Sequence, residues 1–170
     1  MMKIRPLIMA DLPEIMTIEC KACRFPWTIG NVRDSLNCGY VCFGIEISNK
    51  LIGYGILSVA AGESHVLNIV IDPDFQGQGY GTYLMRYLLY VAKRYGAGIV
   101  FLEVRNSNKI AFQIYHRLGF NEIGIRKKYY PSEKGREDAI VLALELREEA
   151  DFYYVDNQSV SDSDKNRIKC

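Results

Sequence analysis

The stretch Asp72–Tyr95, DPDFQGQGYGTYLMRYLLYVAKRY, constrains this chain more than any other. Asp72-Pro73 is a strong turn signal, and Gly77, Gly79 and Gly81 follow at alternate positions. Leu84, Leu88, Val91 and Tyr95 then recur at helical spacing, with Tyr87 and Ala92 alongside. The apolar run Val66–Ile71 lies just before, so the order is strand, glycine loop, helix. Glycine admits backbone conformations in which successive N–H groups turn inward. The first turn of a helix adds unpaired N–H groups and a partial positive charge. Together these make a seat for phosphate or pyrophosphate. Spacing then separates the known glycine loops. The dinucleotide pattern G-x-G-x-x-G needs a third glycine where Thr82 stands, and the ATP-type loop needs a lysine between Gly81 and Thr82. Both fail. Gln76–Gly81 has the form Q-x-x-G-x-G, with an ordinary glycine-rich turn as the alternative.

A chain of 170 residues suits one domain. At this size a fold buries roughly 68–70% of its unfolded surface, so neither disulfides nor metal are required. The formal net charge of +1 argues against a dedicated nucleic-acid surface. A signal-type leader and a run of eighteen apolar residues are both missing, so the expectation is a soluble, cytoplasmic protein with no membrane partner. Cys20-x-x-Cys23 and Cys38-x-x-x-Cys42 have spacings that invite zinc. However, Cys20 and Cys23 continue the stripe Leu12, Ile15, Met16 of a predicted helix, and Cys42 lies between Val41 and Phe43 in a predicted strand. They read as small buried hydrophobes in a reducing compartment, and no metal is expected.

In chain order, Lys3–Leu7 reads as a strand. Asp11, with Glu14 three residues on, has the spacing of a capping box for a helix reaching Cys23. Phe25-Pro26-Trp27 forms an aromatic knot, and Thr28 caps a helix over Ile29–Leu36. Tyr40–Ile47 and Lys50–Ala60 form a hairpin across Ser48-Asn49. His65–Ile71 leads into the glycine loop, and Gly96 and Gly98 close the long helix. Ile99–Val104 is a strand, Asn106 or Ser107 caps a helix over Lys109–Leu118, and Phe120–Ile125 is a strand. Arg126–Glu137 reads as a loop carrying Tyr129-Tyr130-Pro131, and Asp138–Leu146 as the last strand. The fold class is therefore α/β in the broad sense, a mixed α+β sheet with helices packed on it. Residues 1–147 form the domain, and 148–170 a polar tail expected to be loose.

Two residues invite chemistry. Glu103 lies in the apolar run Ile99–Val104, where a carboxylate must be paired, exposed or functional. Partial burial would raise its pKa and suit a general base. The even alternative is an ion pair with Arg105 or Arg136. Tyr115 has Ala111 four residues before and Leu118 three after, a core pattern. A phenol, protonated at neutral pH, can also donate to a leaving group. His65 and His116 have no Ser or Cys partner in a nucleophile motif and are assigned no role.

Four segments taken together resemble one family. They are Phe25-Pro26-Trp27; Asn68–Pro73 leading into Gln76–Gly81; Leu102–Asn108 with Ile114–Phe120; and Tyr129-Tyr130-Pro131 with Gly135–Ala139. They resemble the GNAT acetyltransferases and, within them, the bacterial ribosomal-protein alanine N-acetyltransferases, over about residues 3–147. The resemblance implies the GNAT fold: a mixed, mostly antiparallel sheet of about seven strands, its two central strands splayed, with about four helices. The splayed pair would be His65–Ile71 and Ile99–Val104. It implies acetyl-CoA as cosubstrate, held along Ile69, Val70 and Ile71 and on Gly77, Gln78, Gly79, Tyr80, Gly81 and Thr82, with Asn108 on the other side and no metal. A β-strand N–H from Ile69–Ile71 would face the developing oxyanion. Glu103 would match the proton acceptor and Tyr115 the proton donor, with Phe25, Trp27, Tyr129 and Tyr130 flanking the peptide. The implied partner is a protein N-terminus, the N-terminal alanine of small-subunit ribosomal protein eighteen. Another amine acceptor, or a non-catalytic acyl-CoA-binding module, are the alternatives. Two features depart from the pattern: the loop Gln76–Gly81 has no basic residue, and nothing after Arg147 matches.

Overall fold

A computed structural model describes residues 1–147. The expectation of a loose tail over 148–170 lies outside the described residues. Seven strands form one sheet in the order β1-β2-β3-β4-β5-β7-β6. They are β1 (Met2–Pro6), β2 (Val41–Ile47), β3 (Lys50–Ala60), β4 (Glu63–Ile71), β5 (Ile99–Arg105), β6 (Asn121–Ser132) and β7 (Gly135–Glu145). All neighbours run antiparallel except β4 and β5, the pair joined through the glycine loop and the long helix. Four helices cover the two faces: α1 (Leu12–Ala22), α2 (Ile29–Asn37), α3 (Tyr80–Arg94) and α4 (Lys109–Arg117). No helix among the described residues is long and apolar enough to cross a membrane.

Each face has its own core. On one face α3 brings Leu84, Met85, Leu88, Leu89, Val91 and Ala92 against Phe43, Ile45, Val66, Val100 and Leu102. Burying side chains of this kind contributes about 1.5–3 kcal/mol each. Leu88 presses so closely on β3 that a Cβ at Gly55 would stand 2.5 Å from its Cδ1, so a larger residue there would have to displace the Leu88 side chain. On the other face Ile15 and Ile18 of α1 and Val32 of α2 meet Cys42, Tyr54, Ile56 and Val70.

Three expectations need correction. Asp11 does not cap α1: its carboxylate accepts from the Ile8 N–H at 2.8 Å and pairs twice with Arg5 at 2.8 Å. The ion pair with Arg5 of β1 outcompetes the cap. Cys20 is exposed, and the buried α1 stripe runs through Ile18 and Glu19 instead. Cys42 is buried as expected, and burial pushes its thiol up to about 12. Finally, the segment read as a loop over Arg126–Glu137 is mostly sheet. β6 continues to Ser132 and pairs with β7 on both sides of an irregularity between Arg126 and Tyr130. Lys128 adopts φ 50° at this bulge, and Asp138 accepts its N–H at 2.9 Å. Pro131 is tolerated because β6 is the sheet edge.

Candidate active site

The site begins where two strands part. β4 pairs with β5 only over Glu63–Val66 against Ile99–Leu102, and beyond that each continues alone, to Ile71 and Arg105. The splayed pair expected from the resemblance is therefore present. A one-residue bulge at Leu67 starts the divergence: Val66 pairs with Leu57 and Asn68 with Ile56, leaving Leu67 extra. Such a bulge bends its strand and sharpens the local twist. The Asp72 N–H donates to the Ile52 carbonyl at 2.8 Å. By alternation, Asn68 and Val70 also turn their N–H groups to β3, while Ile69 and Ile71 turn theirs into the parting. Of the three residues expected along the coenzyme, Val70 thus has its main chain committed to β3, and its side chain is buried against α1 and α2.

The glycine loop lies at the end of β4. Lys21 of α1 ties it down, pairing with Asp72 and Asp74 at 2.6 Å each, and Gln76 Nε2 donates to the Ile71 carbonyl at 2.8 Å. Gly77 and Gly79 have φ 74° and 87°, and a Cβ on either would meet nothing within 4 Å. Gly79 is the N-cap of α3, and the first backbone bond into the helix comes from Tyr83 N–H at 3.0 Å. Among the described residues no acceptor sits on the N–H groups of Gly77, Gln78, Gly79, Tyr80, Gly81 or Thr82. The donors, the open left-handed glycines and the helix start fit an anionic pyrophosphate.

On β5, Glu103 follows the last residue paired with β4, and its side chain is only 7% exposed. His65 Nε2 lies 2.5 Å from Glu103 Oε2, and Arg126 Nε lies 3.4 Å from Oε1. Neither Arg105 nor Arg136 is its partner. Arg105 pairs with Glu137 at 2.9 Å, and Arg136 donates to the Lys128 and Tyr129 carbonyls at 2.7 and 2.6 Å. Burial pushes the Glu103 carboxyl upward, but the hydrogen bond and charge of His65 and then the charge of Arg126 outweigh it. Its pKa is therefore lowered, opposite to the direction expected from burial alone. Tyr130 Oη donates to the Glu103 carbonyl at 3.1 Å, giving it a partner where β4 has already diverged.

Tyr115 lies half-buried on α4, packed edge-on against Phe120 at 5.9 Å. Burial pushes its phenol up to about 12. Burial pushes the Tyr130 phenol upward, and the charges of Glu103, Tyr129 and Tyr115 add to that shift. Asn108, rather than Asn106 or Ser107, caps α4, its Oδ1 accepting from the Ala111 N–H at 3.1 Å. Ser107 instead donates from N and Oγ to Glu137, at 3.2 and 3.0 Å.

The aromatic residues form two walls joined by one arginine. The Arg105 guanidinium lies 4.5 Å from the Tyr130 ring centroid and 5.5 Å from that of Phe25. Its Nη1 also donates to the Pro131 carbonyl at 2.7 Å. Arg24 and Glu133 form a second ion pair between the same two segments. Trp27 is held through its main chain: its backbone N–H donates to Glu19 Oε1 at 2.7 Å. Glu19 is 1% exposed and accepts also from Tyr54 Oη, while Asn68 Nδ2 donates to Tyr54 Oη at 3.1 Å. Tyr129 stacks edge-on with Tyr130 at 4.8 Å and carries Arg126 over its ring at 5.4 Å.

Sequence reasoning missed His65, Arg105, Arg126 and the Glu19–Tyr54–Asn68 network. His65 stands opposite Phe101 in the parallel register, two residues before Glu103 on the same face. That register is a long-range property, so no local signal marked it. Glu19 had one available signal, a carboxylate on the buried stripe of α1. Among the described residues no group of three or more His, Cys, Asp or Glu is placed to hold a metal ion.

The model of the Acetyltransferase (GNAT) family matches residues 12–120. A [Ribosomal protein bS18]-alanine N-acetyltransferase from Escherichia coli (strain K12) is 38% identical over 143 residues, covering 84% of this chain and 97% of that protein. Its namesake from Haemophilus influenzae is 36% identical over 137 residues, covering 80% and 93%. The crystal structure of the ribosomal-protein-S18-alanine N-acetyltransferase from Escherichia coli superposes with a TM-score of 0.82 at 38% identity, over 88% of this chain and 98% of that one. Ard1 from Thermoplasma volcanium, 21% identical, shares the fold with a TM-score of 0.78 over 86% and 99% of the two chains.

Proposed function

The chain belongs to the GNAT acetyltransferase family, and from that premise we propose that it moves the acetyl group of acetyl-CoA onto the N-terminal α-amine of a protein. The proposed acceptor is the N-terminal alanine of ribosomal protein bS18, which is the acceptor named for relatives aligned over almost their whole length. The observation that carries the reading is the parted β4–β5 pair, with Glu103 at its fork and an anion seat at the far end of β4. Residues 1–147 constitute the catalytic unit.

Bound acetyl-CoA would supply an activated acyl thioester. The N–H groups of Gly77–Thr82 would hold its pyrophosphate, and Asn108 would approach from α4. The N–H groups of Ile69 and Ile71 face the gap in which the acyl oxygen gains charge, an electrostatic contribution made without reorganisation. Phe25 and Trp27 on one side and Tyr129 and Tyr130 on the other would flank the incoming peptide end.

The pKa shifts refine the roles of the two proton-transfer groups. A free α-ammonium titrates near 8, so about a tenth of it is neutral at pH 7. Taking its proton with a carboxylate that His65 and Arg126 hold below its ordinary value runs steeply uphill. Glu103 is therefore best suited to receive the proton once the nitrogen lone pair is committed to bond formation, when that proton becomes acidic. Tyr115, pushed up to about 12, stays protonated throughout. Full transfer to a sulfur of ordinary thiol pKa near 8.5 is about 3.5 units uphill, so its contribution is a hydrogen bond to the departing sulfur.

The test is acetyl transfer to a panel of acceptors: a peptide beginning with alanine, the same peptide blocked at its N-terminus, a free lysine peptide and spermidine. The alanine peptide is expected to react at least tenfold faster than the others. Equal rates with lysine or spermidine overturn the acceptor assignment. Glu103→Gln is expected to lose at least tenfold in kcat/KM near pH 7.

A further inference from the structure

We propose that His65 is a positioning residue for Glu103, whose Nε2–H grips one carboxylate oxygen and whose protonation state sets how strongly the other oxygen can take the acceptor's proton. The inference rests on the acyl-transfer role of Glu103 given above. Three observations carry it. His65 Nε2 stands 2.5 Å from Oε2, whereas the next cation, Arg126, stands at 3.4 Å from Oε1. The Glu103 side chain is 7% exposed and that of His65 33%, so protons from water reach the imidazole while the carboxylate is enclosed. The grip is also built into the sheet. His65 occupies the last part of β4 that still pairs with β5, and Glu103 is the first β5 residue beyond that pairing.

The groups facing this pair come from three elements, with Tyr115 of α4 acting on Tyr130 beside them. Arg126 and Tyr130 approach from β6. β5 presents Phe101 opposite His65, and β3 presents Ser58. Arginine is a residue type that keeps its charge in proteins, and the phenols of Tyr115 and Tyr130 are pushed upward. Within the range from pH 5 to 8, His65 is thus the member of the cluster whose residue type changes charge. As an imidazolium it holds Glu103 ionised but weakens it as a proton acceptor. On loss of the Nδ1 proton the ring keeps its Nε2–H bond to Oε2 while its positive charge disappears, and Glu103 becomes more basic.

The experiment compares wild type with His65→Gln, whose amide can still donate to Oε2 but does not titrate. kcat/KM for the alanine peptide is measured from pH 5.5 to 8, and the ratio of the two enzymes is taken at each pH so that ionisation of the peptide amine cancels. A neighbouring charge moves a carboxyl pKa by about 1–3 units, of which about half reaches a proton-transfer transition state. The wild-type to variant ratio is therefore expected to fall about three- to thirtyfold from pH 8 to 5.5. A ratio constant across this range overturns the proposal. A second readout is the NMR titration of the His65 ring, expected to move to a different pH range in Glu103→Gln, and an unmoved titration also overturns it. Failure of the underlying reading looks different: Glu103→Gln would then match wild type in turnover, whatever His65→Gln does.

Discussion

Arg105 offers the sharpest test of how the acceptor channel is held. Its guanidinium bonds Glu137 at 2.9 Å and the Pro131 carbonyl at 2.7 Å, and lies over the rings of Tyr130 and Phe25. A hydrogen bond to a charged group is worth about 1.5–3 kcal/mol, one to a carbonyl about 1, and each ring contact about 0.5–1 at a part-exposed site. The gross sum is roughly 3–6 kcal/mol. The side chain is 26% exposed and Ser107 also serves Glu137, so water and Ser107 recover part of this. Arg105→Ala is expected to lose about 2–3 kcal/mol in urea unfolding with unchanged m, and about 5–10 °C in Tm. Function should separate more sharply than stability. The residue joins the two aromatic walls proposed to flank the peptide and has no contact with the glycine loop among the described residues, so KM for the peptide is expected to rise about tenfold and KM for acetyl-CoA less than twofold. Arg105→Lys keeps the charge without the planar fork and should recover less than half of the peptide effect. A peptide KM unchanged in Arg105→Ala would refute the view that this side chain sets the channel.

Gly79→Ala places a Cβ on a residue at φ 87°. It should cost about 1–2 kcal/mol of stability and raise KM for acetyl-CoA more than KM for the peptide, as initial-rate kinetics will show. Arg5 binds two buried carboxylates, Asp11 at 2.8 Å and Glu46 at 2.7 Å. Arg5→Met should lose about 2–4 kcal/mol at pH 7 in denaturant unfolding, discounted for partial exposure. The Arg5 hydrogen bonds hold Asp11 below its ordinary value. Burial pushes Glu46 up, but Lys3 and Arg5 more than reverse this. The stabilisation from lowered carboxyls is full above their unfolded values, at about pH 5, and is lost as pH falls from there through their folded values, so the gap between wild type and Arg5→Met should narrow below about pH 5.

Much of the architecture was legible in the chain because it rests on local rules. The periodicity of Leu84, Leu88 and Val91, the cap at Thr28, the hairpin of Tyr40–Ile47 with Lys50–Ala60 and the glycine loop all appear where their residues predict. Tyr129-Tyr130-Pro131 was misread because proline and a nearby glycine mimic a loop, whereas pairing with β7 along a long edge hairpin overrides them. Glu103 stood out as a carboxylate in an apolar run, but its partner did not, since Arg105 is near in sequence and His65 is near only in space.

The amino-acid sequence alone determined most of the elements, their order and the glycine turn, though not the far half of β6, because helix period, strand runs, caps and glycine conformations are properties of neighbours along the chain. Tertiary structure decided the electrostatics of the site. The parallel register of β4 on β5, and the bulge at Leu67 that ends it, bring His65 to Glu103 and turn the expected upward pKa shift downward. A charge interaction depends on distance through space, and that distance exists only once the sheet has formed.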